Sequence, residues 1–433
     1  MLVNRLLGTE ELPSLAQFHL RKVLTLGMLI SFLMSLSDTF AILYAIDKIG
    51  FTLAASCTSI MLLTQLIFDY PSGSLGDWIG QRWVLAIAFI CYSFTFFLLI
   101  SANTFMDFAF LNIINGFGNA QSSGAFETWV DNNYRESVGE RDSDRRIYGF
   151  TMGRIGSLTN LSLGASFLVG GSLSTAFDRS FVFRIQFILA LIVVVLILVF
   201  IKDLNKKSII PSSHSSLHNY LNFLAGGFKF LASNRVNFFF ILGLSFYNVT
   251  WLIWGNLILF PIYFGYTGSD ILASTLRMTL FFVGIPVSFF MANVIKKISN
   301  KRLNLFIFLQ IILFFPSFIA LTYLVPPKKQ FNPLGILSTF ILLATLVGLL
   351  FDVSRTLSQR ILLDLIPSKN RNAIYSLMPS IVSFLGIFVL PFAGSAVENF
   401  GLHIGILMAG LICVFSLFLL LQSHFASSTP LNS

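Results

Sequence analysis

The stretch DYPSGSLGDWIGQRWVL, Asp69 to Leu85, sets two carboxylates, three glycines, a proline and an arginine between two long apolar runs. Such density of polar and turn-forming residues marks a short connection, because glycine and proline punctuate regular structure. What it connects is oily. Of 433 residues, 55% are hydrophobic and 11% charged, and the mean hydropathy is +0.82. Soluble domains carry roughly a quarter charged residues, so composition alone excludes a soluble globular chain and points to a polytopic membrane protein.

A hydrocarbon core of about 30 Å needs roughly 20 apolar residues in a helix. Twelve runs qualify. The first six are Val23–Ile46, Leu53–Ser74, Trp83–Ser101, Phe105–Asp131, Tyr148–Thr175 and Phe181–Ile201. After a polar stretch come Val236–Tyr263, Ile271–Ile295, Leu303–Val325, Leu334–Leu365, Ile374–Glu398 and Leu402–Gln422. The expected organisation is an N-terminal six-helix bundle over residues 1–201, a linker over 202–235 and a C-terminal six-helix bundle over 236–433. Within the linker, Leu217 to Leu231 is amphipathic and suited to lying on a membrane face.

Basic residues gather on one set of loops, including Arg21, Lys22, Arg141, Arg145, Arg146, Lys206, Lys207 and the run Lys296 to Arg302. Positive charge is retained on the cytoplasmic side, so both termini are expected inside, in a cell membrane. The same asymmetry explains the net charge of +9 without a nucleic-acid partner. No cleavable signal peptide is expected, since Val23–Ile46 is too long for a signal core. Cys57, Cys91 and Cys413 all fall inside predicted spans, and no spacing suits a metal. The histidines, His19, His214, His218, His403 and His424, form no catalytic constellation, and no phosphate loop or cofactor motif appears. The chain is expected to be neither an enzyme nor a cofactor carrier.

The spans differ in a regular way. The third, sixth, ninth and twelfth are nearly pure Leu, Ile, Val and Phe, as in Phe187 to Phe200, and should face lipid. The second, fifth, eighth and eleventh are rich in glycine and proline, which let helices approach closely. The first, fourth, seventh and tenth hold most intramembrane polar groups, including Asp38, Asn115, Glu127, Asn248 and Arg355. Such groups are costly in hydrocarbon and mark a pathway. A weak internal repeat supports two related halves: Gly73–Arg82 aligns with Ala292–Lys301, and RRIYGF from Arg145 with NAIYSL from Asn372. Paired repeats of this kind describe alternating-access transporters.

GSLGDWIGQR resembles the loop motif of the major facilitator superfamily, G-x-L-x-D-[RK]-x-G-[RK]-[RK], which lies between the second and third helices. The resemblance covers the whole chain and implies an all-helical fold of twelve transmembrane helices in two pseudo-symmetric bundles, with a solute site between them. It implies roles for individual residues. Gly73 would allow the second helix to pack on the eleventh, Gly80 would let the backbone turn, Asp77 would face the positive end of the eleventh helix, and Arg82 would reach Asp131 at the end of the fourth. Together with Asp69 and Arg371, these form a conformation-specific latch on the cytoplasmic side. Trp78 and Gln81 replace basic residues of the motif and should weaken that network. The segments ILYAIDKIGFT, DYPSG and SGAFETWVD resemble a poorly characterised branch of the superfamily. Two signatures of drug antiporters are missing: Asn112 stands where those proteins have an arginine, and GASFLVGG lacks their proline.

Candidate pathway residues follow. Asp38, two-thirds along the first span, is either a protonatable coupling group or a carboxylate bonded to Ser35, Ser37 or Thr39. Glu127 and Asp131 share a helix face, and Glu127 is expected to pair with Arg154, either in a proton-coupling or gate role or as a static bridge. Asn248, Trp251, Trp254 and Asn256 would line a wet cavity, although tryptophan also anchors helices at interfaces. Asp352 and Arg355 lie three apart near mid-membrane, where they could neutralise each other as an intrahelical pair, or Arg355 released from it would offer a planar fork to an anion. Arg277, and Gln310 in a lipid-facing span, are weaker candidates. Arg360, Asp364 and Lys369 join Arg371 as gate residues. The expected function is secondary transport of a small solute, with a proton as coupling ion, by a monomer bathed in membrane lipid. A facilitator or symporter for an anionic metabolite and a non-transporting sensor or scaffold stay open.

Overall fold

In lipid every backbone polar group must be satisfied within the chain, so apolar runs of this length can only be helices. The computed structural model describes residues 2–142, 145–202, 234–295, 297–299, 302–365 and 371–428. Its helices are α1 (Leu2–Leu7), α2 (Ser14–Ser35), α3 (Ala41–Ile79), α4 (Gln81–Leu99), α5 (Phe105–Ser122), α6 (Ala125–Val138), α7 (Arg146–Ala176) and α8 (Arg179–Phe200). They continue with α9 (Arg235–Thr267), α10 (Asp270–Ile295) and α11 (Leu303–Leu324). Next is α12, built of Pro333–Thr345, Leu346–Phe351 and Asp352–Leu365, followed by α13 (Arg371–Phe400) and α14 (Leu402–Ser428). Among the described residues nine helices are long and apolar enough to cross a membrane. The other three predicted spans coincide with α5 and α6, with α7 and with α10, which hold more glycine and hydroxyl side chains.

Several helices start where a polar side chain takes the amide groups that a helix N-terminus leaves without partners. Thr104 and Asp107 form a reciprocal capping box at α5. Asp178 accepts from the Phe181 amide at 2.6 Å, Asn234 from Val236 at 2.9 Å and Asn332 from Gly335 at 3.0 Å.

Two predicted spans are broken. The first stops at Ser35, turns through residues 36–40 and resumes at Ala41. The fourth is two helices, because Gly124 adopts a left-handed φ of 71° between α5 and α6. Asp38 therefore sits in an exposed turn, not on a helix. A third irregularity lies inside α3, where Gly50 has φ 79° and ψ 171°.

The chain divides into two compact units, Met1–Ala41 with Thr64–His214, and Ile42–Leu63 with Ser215–Ser433. In the first, α2 lies along α7, and α4 is packed between α5 and α8. Leu20, Leu33, Phe89, Trp129, Val193 and Ile197 form its core. In the second, α9 lies along α14 and α13, around Leu244, Ile258, Phe318, Leu390 and Cys413. Residues 42–63 dock on α13: a Cβ at Gly394 would lie 2.8 Å from the Phe51 carbonyl oxygen, so only glycine permits the approach.

The break after α2 is held by its own unit. The buried Gln186 donates from Nε2 to the Leu33 carbonyl at 2.8 Å. A Cβ at Gly170 would lie 1.7 Å from the Leu36 carbonyl oxygen, so α7 touches the broken turn backbone to backbone. Gly170→Ala should lower stability by about 1–3 kcal/mol or more through overpacking. Gly153→Ala on the same helix meets no atom within 4 Å and should be neutral or stabilising by up to ~1 kcal/mol. Thermal unfolding of the two purified variants against the parent measures the difference.

Candidate functional site

The connection after α3 is a single residue. Gly80, with φ 91° and ψ 151°, turns the chain directly from α3 into α4 while its amide bonds the Gly76 carbonyl at 3.0 Å. Gln81 folds back over Gly76, with its side-chain amide 2.9 Å from where a Cβ would stand. Arg82 lies 5.4 Å over the Trp83 ring, and its Nε is buried with no hydrogen-bond partner. Asp69, half-buried, accepts from Ser123 beside the break in the fourth span. Gly73 and Asp77 lie on α3 and Arg371 opens α13. Their surroundings, the Asp364 side chain, Lys369 and the linker segment Leu217–Leu231 fall outside the described residues.

The expected Arg82–Asp131 contact is not formed. Asp131 instead pairs with Arg135 one turn along α6, at 2.9 Å, and with Arg145 at the start of α7. Both partners are close in sequence, and Arg145 is brought in by its own left-handed backbone, φ 58°. Nor does Glu127 pair with Arg154. Glu127 is exposed, and Arg154 donates to the Arg5 and Leu6 carbonyls at 3.1 and 2.6 Å while lying 4.1 Å over the Phe150 ring. Helix α1 captures this arginine by presenting carbonyls at its C-terminus, where cations are favoured.

A residue outside the candidates organises this end of the first unit. Asp142, buried, accepts from the Tyr134 hydroxyl at 2.7 Å and from the amides of Ile147 and Tyr148 at 3.1 and 2.9 Å. It thereby caps α7 and ties it to α6. Burial opposes ionisation, yet the bonds from Tyr134 and from the Tyr148, Ile147 and Arg146 amides hold the carboxyl below its usual range. A second buried cluster joins the Tyr92 hydroxyl to Asn119 Oδ1 at 2.9 Å and to Ser122 Oγ at 2.7 Å.

In the second unit, polar groups converge on Gln310. Its Oε1 accepts from the buried Tyr247 hydroxyl at 3.1 Å and its Nε2 donates to Ser354 at 3.2 Å. Gln310, a weaker pathway candidate in a span expected to face lipid, is 0% exposed and opens a π-helical turn, Gln310–Phe314. Similar turns occur at Trp254–Ile258 and Leu346–Phe351, and such bulges recur at functional sites. Trp254 is buried, edge-on to Phe314 and Phe318 at 5.0 Å each, and serves the aromatic core instead of a wet cavity. Trp251, partly buried, meets the Phe351 ring at 5.1 Å and stacks on Phe315 at 6.1 Å. Asn248 and Asn256, also partly exposed, each donate to a carbonyl one turn back, at 2.8 Å. Arg355 is exposed and forms no ion pair with Asp352. Among the described residues no group of acidic, histidine and cysteine side chains suits a metal.

Both units thus keep small or amide-bearing helix faces that their own helices leave uncovered. Gly149, Gly153 and Gly156 on α7, and Gly255 on α9, have no atom within 4 Å of a Cβ position. The sequence pattern described as Major Facilitator Superfamily matches residues 23–328. The chain belongs to the major facilitator superfamily. Solved structures of the nucleoside transporter NupG share the fold. One superposes with a TM-score of 0.72 at 15% identity, covering 95% of this chain and 100% of that one, and a point variant gives 0.74 at 14%, covering 94% and 99%. A POT family transporter in complex with 5-aminolevulinic acid gives 0.65 at 14%, covering 94% and 96%. No curated protein sequence matches the chain. As a superfamily member with nine helices long and apolar enough to cross a membrane among its described residues, this is an integral multi-pass membrane transporter.

Because the Asp142 carboxyl is held below its unfolded value near 3.9, its stabilisation is present above that pH and is lost as pH falls through the lower folded value. Asp142→Asn should cost roughly 1.5–3 kcal/mol at neutral pH and flatten the acid limb of stability against pH. Unfolding temperatures of variant and parent between neutral and acid pH measure both effects.

Proposed function

We propose that this transporter moves a small polar solute by rocker-switch alternating access of two six-helix domains, residues 1–201 and 236–433 joined by the 202–235 linker. The observation that carries the reading is the pair of uncovered small-residue and amide faces, Gly149/Gly153/Gly156 in one unit and Asn248/Gly255/Asn256 in the other. Stable helices bury such faces against a partner or a solute, and a face that is covered in only one state suits a moving protein. Proton coupling runs through Asp38, whose carboxylate is exposed at the break in the first span, with Glu127 as the second exposed acid. Both termini face the cytoplasm, the protein works as a monomer in the plasma membrane, and the Asp131–Arg135–Arg145 cluster with Asp69, Gly73, Asp77, Gly80, Arg82 and Arg371 gates the cytoplasmic side.

Nucleosides head the substrate panel, since NupG carries them and the partly exposed Trp251 ring beside Asn248 offers stacking and amide hydrogen bonds to a planar base. A second reading rests on Arg355. Exposed and not ion-paired with Asp352, it presents a bidentate donor to an anionic metabolite.

Proteoliposomes containing the full chain should accumulate one class among nucleosides, sugars, amino acids and carboxylates, faster with a proton gradient than without. Asp38→Asn should remove the gradient dependence at least tenfold while leaving counterflow exchange. Unchanged gradient-driven uptake in both Asp38→Asn and Glu127→Gln overturns the coupling assignment. Carboxylate uptake lost in Arg355→Gln selects the second reading. Absence of flux and of any ligand-dependent rise in unfolding temperature favours a sensor or scaffold.

A further inference from the structure

Where α10 ends and α11 begins, the chain reads KKISNKR, Lys296 to Arg302, with four basic residues and no acid. Lys297 and Arg302 are exposed. Between them Ile298 is pinned by Arg360 of α12, which donates from Nη2 to its carbonyl at 2.6 Å. Ile298 is also the end of an open groove of about 390 Å³ running from the last turn of α10 along α11 and α12. Val294, Phe306, Leu309, Leu313, Leu349 and Val353 line it. Arg302 stands one turn before Phe306, on the same face of α11. Leu313 and Leu349, 54% and 53% exposed, have no helix of their own unit over them.

The groove makes no polar demand on an occupant. Its two hydroxyls bond their own helices, Ser317 to the Leu313 carbonyl at 2.6 Å and Thr345 to Ile341 at 2.9 Å. A filler must therefore be a long aliphatic chain, and the groove's mouth adds positive charge at the level where the helices leave the membrane. One bilayer component has both properties.

We propose that this groove is a binding site for an anionic phospholipid, one acyl chain lying along α11 and α12 and the phosphate held by Lys297 and Arg302. Attraction of basic clusters beside spanning helices for anionic headgroups is a general membrane effect. Here it is joined to a built apolar slot, which gives it a fixed location. Binding is independent of any transported solute.

The test is native mass spectrometry of the detergent-purified full chain titrated with dioleoyl phosphatidylglycerol and, separately, dioleoyl phosphatidylcholine. The expected result is at least tenfold preference for phosphatidylglycerol. Lys297→Gln/Arg302→Gln should abolish the preference with both lipids still binding weakly. Ser317→Trp, which fills the slot and leaves the charges, should also lose it, and glycerol phosphate in excess should fail to compete. Equal affinity of the parent for the two lipids overturns the proposal. So does an undiminished preference in the folded Ser317→Trp protein, which would assign the effect to diffuse surface charge. Retained binding of an acyl-free phosphate would likewise overturn it.

Discussion

Interrupting a helix inside hydrocarbon releases carbonyl groups that no water can satisfy, each costing several kcal/mol if left bare. The first span of this chain is interrupted at residues 36–40, and the first unit is arranged around that fact. Gln186 from α8 takes the Leu33 carbonyl. Gly170 from α7 gives the Leu36 carbonyl its place. Ser162, also on α7, donates to the Met28 carbonyl at 2.8 Å, about two turns earlier in α2. Three side-chain choices on two helices thus converge on one strand of backbone, and they fix how α2, α7 and α8 can pack. The same turn carries Asp38, exposed there instead of lying on a helix.

The second unit solves the same problem differently. Its α9, α11 and α12 are not broken but widened, each by a π-helical turn. A wide turn keeps its hydrogen bonds inside the helix and shifts every later side chain around the axis. Beside these turns Gln310 bonds Tyr247 and Ser354, and the rings of Trp251, Trp254, Phe314 and Phe351 pack together. Glycine sets the spacing elsewhere: a Cβ at Gly284 would meet Val347 at 3.2 Å, and one at Gly348 would meet Val287 at 3.0 Å, a reciprocal contact between α10 and α12.

The positions of the helices were readable because hydrocarbon thickness imposes one length and one composition on each crossing. Ten of the predicted runs each fall on one described helix, the first and fourth are each divided between two, and the Gly80 turn between α3 and α4 falls within DYPSGSLGDWIGQR. What could not be read was irregularity inside a run. Gly124 and residues 36–40 break runs that length alone reads as single crossings, and a π turn has no composition of its own, so nothing in the apolar pattern shows that Gln310 is buried. Pairing partners were illegible for another reason. Depth along the membrane suggested Arg154 for Glu127, and the family resemblance Arg82 for Asp131, but Arg154 meets the carbonyls of α1, a six-residue helix with no transmembrane signal, and Asp131 meets two arginines nearer in sequence. Asp142 lay hidden in RDSDRR, where nothing singles out which acid will face two amides and a phenol.

At the kink in α3 the helix restarts with its amides bare, and the cap comes from far along the chain. Glu398, near the end of α13, accepts from the Thr52 amide at 2.8 Å and from the Thr52 hydroxyl, and Gly50 leaves the space its carboxylate enters, 2.7 Å from where a Cβ would stand. The two partners are 346 residues apart. On a ribosome delivering the chain from its first residue, this restart is made early and completed almost last. Until α13 has entered the membrane, the N-terminal part of the protein carries an unfinished helix end, so its biogenesis closes a loop that spans nearly the whole polypeptide.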